Sequence, residues 1–297
     1  MKKFLLLLLC SGLLLTSCGN TGGSTESSEA GDGRKVISSA DYVNFGRMAD
    51  TDGPAFAVYS KTGYSGASAS LDLASMEINT LMPNNKFLNG YAFFGIDVYA
   101  GANSSQWLNC VDVGLCWSGR EGGWHVFYNI YERLNASTPA WYESNIILPS
   151  DDIYDLSLTI VEENYALFTI KGRTNGVTDE VRVEIKGAAA DGSNTALLFN
   201  AALDYPPNTK VNSEGKRSED FVEITLTHTD KGLYMRNIIV DELTLYQGED
   251  AVEWTSDKNS SVGLWPDKTK KRFDYAPTSV ELFDGTKYII NFDMNRQ

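Results

Sequence analysis

From residue 35 onward the chain alternates. Phe94, Ile96 and Val98 stand between Gly95, Asp97 and Tyr99, and Val111, Val113, Leu115 and Trp117 stand between Asp112, Gly114 and Cys116. A period of two sends successive side chains to opposite sides, so each run predicts a β-strand with one apolar face. Residues 124–131 are almost all aromatic or β-branched and predict a strand covered on both faces. Further strands are predicted over 154–161, 165–171, 180–186, 196–203, 221–228 and 233–246, with Asn175-Gly176 as a hairpin turn between two of them. Gln247-Gly248-Glu249-Asp250 then opens a segment that reads as loop-rich as far as Tyr275, before strand-like pieces at 279–283 and 287–293. No amphipathic helical window interrupts this order. Many strands with polar turns at short intervals predict an all-β fold, a two-sheet antiparallel jelly-roll sandwich.

The amino terminus breaks the alternation. Lys2 and Lys3 precede an apolar run over 4–15, interrupted only by Cys10, Ser11 and Gly12. This is the charged-then-apolar layout of a secretory signal, and it is too short to span a bilayer. The run ends in Leu15, Thr16, Ser17 and Cys18, which resembles the lipobox of bacterial lipoprotein precursors. That resemblance implies a signal peptide over 1–17 and a lipid-bearing Cys18 at the start of the mature chain. Between Gly19 and Gly33 no aliphatic or aromatic side chain is larger than alanine, so residues 18–34 are predicted to be a flexible tether. The remainder, 35–297, is expected to be a single β-sandwich domain held outside the cytoplasm, touching the membrane through the lipid anchor only.

Charge narrows the partners. The chain has 25 Lys and Arg against 39 Asp and Glu. Loss of residues 1–17 removes two of those bases and no acid, which leaves 23 against 39, a formal charge of −16. Nucleic acid and anionic head groups are disfavoured as partners; neutral glycans and cationic ions fit better. Cys110 and Cys116 share the parity of one strand and would lie about 20 Å apart on it. A disulfide needs Cα atoms within about 7 Å, so two separate thiols are expected. Histidine occurs only at 125 and 228, without a close cysteine pair, so neither a zinc site nor a cofactor is predicted. Asp50-Thr51-Asp52-Gly53 has the acids of a calcium loop, but Lys61 stands where such a loop needs its bidentate acid, and the segment reads as a turn. The basic run at 268–272 reads as a solvated loop.

Two longer stretches resemble known families. Residues 235–247 end on an aliphatic-Asp-x-aliphatic-x-aliphatic-Tyr pattern similar to the closing strand of concanavalin-like jelly rolls, among them laminarinase-type glycoside hydrolases and many carbohydrate-binding modules. Retaining glycosidases of that fold place two acids on one face of a strand, about 5 Å apart. Here Glu77-Ile78-Asn79 lacks the second acid, while Asp241-Glu242 and Glu162-Glu163 point to opposite faces. Residues 94–160 resemble successive strands of the glutamic peptidases. Matching Gly114 to the glycine of their Gln-Thr-Gly strand sets Asp112 at the position of the catalytic glutamine, and the catalytic glutamate has no counterpart. The resemblance thus implies architecture and not activity.

Parity also collects a candidate site. Asp97 and Tyr99, then Asp112, then His125, Phe127, Asn129 and Tyr131 fall opposite the most aliphatic positions of their strands. Rings that stack on pyranose faces, mixed with carboxylates and amides that bond hydroxyls, suit a glycan or cell-wall polymer. The alternatives are a hydrolase, either a glycosidase or a divergent relative of the glutamic peptidases, and a structural or partner-binding lipoprotein in which the same face is simply covered. Trp107, Trp141, Trp254 and Trp265 lie in or near predicted loops and are candidates to extend a binding platform.

Overall fold

The computed structural model describes residues 35–38, 53–81, 88–119, 121–203, 232–265, 278–283 and 286–294. The expected signal peptide, the expected tether with Cys18, Asp50 and Asp52, the strand expected at 221–228 and the basic run at 268–272 lie outside the described residues.

The strands are β1 (Lys35–Ser38), β2 (Ala55–Thr62), β3 (Gly66–Asp72), β4 (Glu77–Asn79), β5 (Gly90–Tyr99), β6 (Trp107–Ser118), β7 (Gly123–Ile130), β8 (Trp141–Glu143) and β9 (Ile153–Glu162). They continue with β10 (Tyr165–Gly172), β11 (Thr178–Glu184), β12 (Thr195–Leu203), β13 (Tyr234–Gln247), β14 (Asp250–Glu253), β15 (Asn259–Trp265), β16 (Thr278–Phe283) and β17 (Lys287–Asp293). The one helical element among the described residues is a single 3₁₀ turn, Ser256–Lys258. Among the described residues all strand pairings are antiparallel, and they build two sheets. One runs β1-β16-β17-β13-β3-β9-β10-β11, with β4 and β14 also on β13; the other runs β15-β2-β12-β5-β6-β7-β8. The protein is a two-sheet antiparallel β-sandwich.

The alternating apolar positions meet between the sheets. Phe94, Ile96, Val98, Val111, Val113 and Leu115 from one sheet share a core with Tyr154, Leu158, Phe168, Val240 and Ile290 from the other. Burying each such side chain contributes about 1.5–3 kcal/mol, which orders the meander β5-β6-β7 and holds its opposite face in fixed register. Strand β7 is buried along nearly all its length, as its aromatic and β-branched composition predicts. Cys110 and Cys116 lie on the unbroken β6 as thiols, not as a disulfide.

Three expectations need correction. Within its described part, 247–265, the segment after Tyr246 is not mainly loop: it contains β14 and β15, and β15 pairs with β2. Its Ser, Gly and Asn content masks a strand that sits at the edge of its sheet, where little apolar surface is required. The stretch 235–247 is not a closing strand, because β13 lies between β17 and β3 and four strands follow it in the chain. Trp254 does not extend a binding surface: it is fully buried, its indole N–H donating to Asn259 Oδ1.

Candidate functional site

On the outer face of the seven-stranded sheet, register sets the predicted residues side by side. Gly95 is opposite Asp112, and Asp112 is opposite Asn129. Asn129 in turn faces Trp141. One step along, Phe93 faces Gly114, Gly114 faces Phe127, and Phe127 faces Glu143. The next rows bring Tyr91, Cys116 and His125 together on one side, and Asp97 and Cys110 on the other. All seven sequence-predicted residues thus belong to one surface, with Tyr131 just beyond the end of β7.

Two glycines shape its floor. A Cβ on Gly114 would lie 2.6 Å from the Cβ of Phe93, and one on Gly95 would lie 2.8 Å from Leu198 Cδ2 and 3.0 Å from Asp112 Oδ1. Their absence lets Phe93 and Leu198 lie across the sheet and leaves room for the Asp112 carboxylate.

The aromatic rings form two groups. Trp141 stacks on Phe127 at 5.1 Å, with Tyr91 edge-on to both and Phe93 edge-on to Phe127. Trp107 meets Tyr131 edge-on at 5.3 Å. Each group has one strongly exposed ring, Trp141 at 40% and Tyr131 at 42%. Each tryptophan is fixed by a carboxylate of the same face: Trp141 Nε1 donates to Glu143 Oε1 at 3.0 Å, and Trp107 Nε1 donates to Asp97 Oδ1 at 3.1 Å. Asp97 also accepts from Tyr99 OH and is only 4% exposed, so it positions rings rather than meeting solvent. Phe127 is likewise buried beneath Trp141, while Tyr99, Asp112 and Asn129 are half-buried.

Hydrogen bonding on this face is incomplete. His125 Nδ1 lies 2.9 Å from the Ser144 carbonyl, which can only accept, so Nδ1 carries the proton. His125 Nε2, 3.5 Å from a Glu121 carboxylate oxygen, makes no hydrogen bond. Asn200 Oδ1 on β12, beside Phe93, also lacks a partner. Among the described residues these are two of three buried side-chain polar atoms left without one.

The loop between the two exposed rings is tied down from the other sheet. Glu184, at the end of β11, accepts from the backbone N–H groups of Leu134 and Asn135, the Asn135 amide and the Thr138 hydroxyl at 2.6–3.2 Å. Burial alone would raise its carboxyl, but these donors outweigh burial and lower it. Asn109 adds bonds to Glu132 N and O and to the Lys186 carbonyl.

Sequence reading identified the face from parity and named Trp107 and Trp141 as possible extensions. It missed Tyr91, Phe93, Glu143 and Asn200. The alternation Trp141-Tyr142-Glu143 was the available signal for β8, but three residues are too short a run to stand out. Among the described residues no group of three metal-ligating side chains converges. A depression of about 380 Å³ with Ser68, Ser157, Thr169 and Tyr246 in its lining lies on the other sheet, away from this face.

No family model matches the chain, and no curated protein matches it. Among solved structures, Scytalido-glutamic peptidase with a peptide-based transition-state analogue is similar at 12% identity and a TM-score of 0.47, over 82% of this chain and 98% of that one. The winged bean acidic lectin complexed with methyl-α-D-galactose gives 9% identity and 0.35, over 61% and 83%. An alginate lyase from Pseudomonas aeruginosa gives 14% and 0.32, over 65% and 82%. None reaches a TM-score of 0.5, so the architecture stands on the strand register and the function on the face itself.

Proposed function

We propose that the protein is an extracytoplasmic lipoprotein, anchored through Cys18, that binds glycan or cell-wall polymer on the outer face of its seven-stranded sheet without chemical conversion. The observation that carries the reading is the pair of exposed rings, Trp141 and Tyr131, each backed by an immobilised aromatic partner and flanking the half-buried Asp112 and Asn129. Rings held in place bind sugar faces with little further loss of entropy, and the polar groups between them suit hydroxyls. The partnerless His125 Nε2 and Asn200 Oδ1 point the same way, since buried polar atoms ordinarily find partners.

A hydrolase reading has one observation behind it. Asp97 pairs with Cys110, two residues before Asp112 on β6, so the two acids are diagonal neighbours on one face, their backbones about 7–8 Å apart, a placement from which two carboxyl groups can reach toward one bond. Against it, Asp97 is buried and occupied by the Trp107 indole, whereas catalysis needs both carboxyl groups open to one bond.

Affinity measurements on the soluble body against a panel of polysaccharides test the proposal. Tyr131→Ala should stay folded and weaken binding by about 1 kcal/mol, and Asp112→Asn should weaken it while leaving the melting temperature near that of the parent. Absence of glycan binding by the parent, with strong destabilisation by both substitutions, would leave the face as covered structure. Release of reducing ends from a bound oligosaccharide would favour the hydrolase.

A further inference from the structure

From the same face we infer that the ligand is a neutral oligosaccharide that occupies two stacking subsites at once, and that polyuronates are excluded. This rests on the reading of the face as a glycan site. Trp141 faces Asn129 across β8 and β7, while Tyr131 lies two residues beyond Asn129 on the next row. One strand spacing across and two residues along put their Cα atoms about 8 Å apart. The Trp141 ring stacks on Phe127 and the Tyr131 ring meets Trp107, so the two belong to separate groups with the row of Asp112 and Asn129 between them, and each offers its own stacking surface. Asp112 and Asn129 occupy the interval, where they meet the hydroxyls of a chain that crosses it.

Charge sets the class of sugar. Within 88–119 and 121–143, the described residues from β5 to β8, the acids are Asp97, Asp112, Glu121, Glu132 and Glu143, against Arg133 and His125. Arg133 is already engaged, its guanidinium donating to the carbonyls of Ala136 and Thr138. Glu132 is paired with Lys186 at 2.9 Å, yet acids outnumber cations along this stretch of sequence, so an anionic chain meets like charge, which costs affinity. A neutral chain pays no such cost.

The test is a series of neutral oligosaccharides, β-1,4- and β-1,3-linked glucose, N-acetylglucosamine and mannose, from one to six units, beside alginate oligomers of the same lengths. Affinity should rise by about fivefold or more between the single sugar and the length that spans both rings, then level off. In Trp141→Ala the rise should vanish, long chains binding only as well as short ones. Alginate should bind more weakly than neutral chains of equal length at low salt, where repulsion is least screened. Equal affinity for one unit and six, or alginate binding as tightly as the best neutral chain, would overturn this inference while leaving the glycan site standing. Failure of every sugar to bind would overturn both.

Discussion

Gly114 lacks a side chain because Phe93 occupies the place where one would go, and that exchange is legible only once the strands are paired. Sequence parity put Asp97, Asp112 and His125 on one face correctly but could not rank them by access. Asp97 is sequestered by Trp107, an interaction that depends on a bulge between Val98 and Tyr99, and no local pattern announces it. Gly114→Ala should cost about 1–3 kcal/mol through overpacking against Phe93, read as a lower denaturation midpoint with an unchanged slope. Asp97→Ala should cost about 1–3 kcal/mol by leaving the Trp107 indole N–H unsatisfied, and should also weaken glycan binding because Tyr131 loses a fixed neighbour.

At the scale of elements, strands with one apolar face, among them β5, β6, β9, β10 and β17, were legible from alternation, while β7 and β12, buried on both faces, were legible from their aromatic, β-branched and aliphatic composition. Strand β3 was missed because it is built largely from Ala, Ser and Gly, and β2 because it is buried on both faces: Phe56 and Val58 enter the main core, while Ala57 and Tyr59 join Leu198 outside it. Alternation disappears when both faces are covered. In β13 the pattern slips twice, since Asn237 and Glu242 adopt positive φ at two bulges and thereby return Ile238 and Leu243 to the core. Two acids hold the connections. Asp152 accepts from Ile153, Thr174 and Asn175 and so fixes the turn between β10 and β11; burial would raise its carboxyl, but these bonds hold it at about 2. Because that value lies below the unfolded one of about 3.9, its stabilisation is present above about pH 4 and is lost as pH falls towards 2. Thermal melts from pH 5 to pH 2 should therefore show a steep fall that Asp152→Asn flattens, with a lower melting temperature already at pH 7. Glu184→Ala should cost about 2–3 kcal/mol and, by loosening the chain between Tyr131 and Trp141, weaken glycan binding without touching the face.

For the molecule as a whole, the two sheets have distinct duties: the ten-stranded sheet supplies one wall of the core and the Glu184 clamp, and the seven-stranded sheet presents the rings. If Cys18 carries the anchor, Cys18→Ala should move the protein from the membrane fraction to the soluble one or leave it unprocessed; unchanged retention with normal processing would contradict it. The most direct test of the central claim is amide hydrogen exchange of the soluble body with and without a saturating neutral oligosaccharide. Slower exchange should appear in β6, β7, β8 and the loop at 131–140. Protection confined to the other sheet, around Ser68, Ser157 and Thr169, or no change across 107–143 at saturation, would contradict the assignment of this face as the binding site.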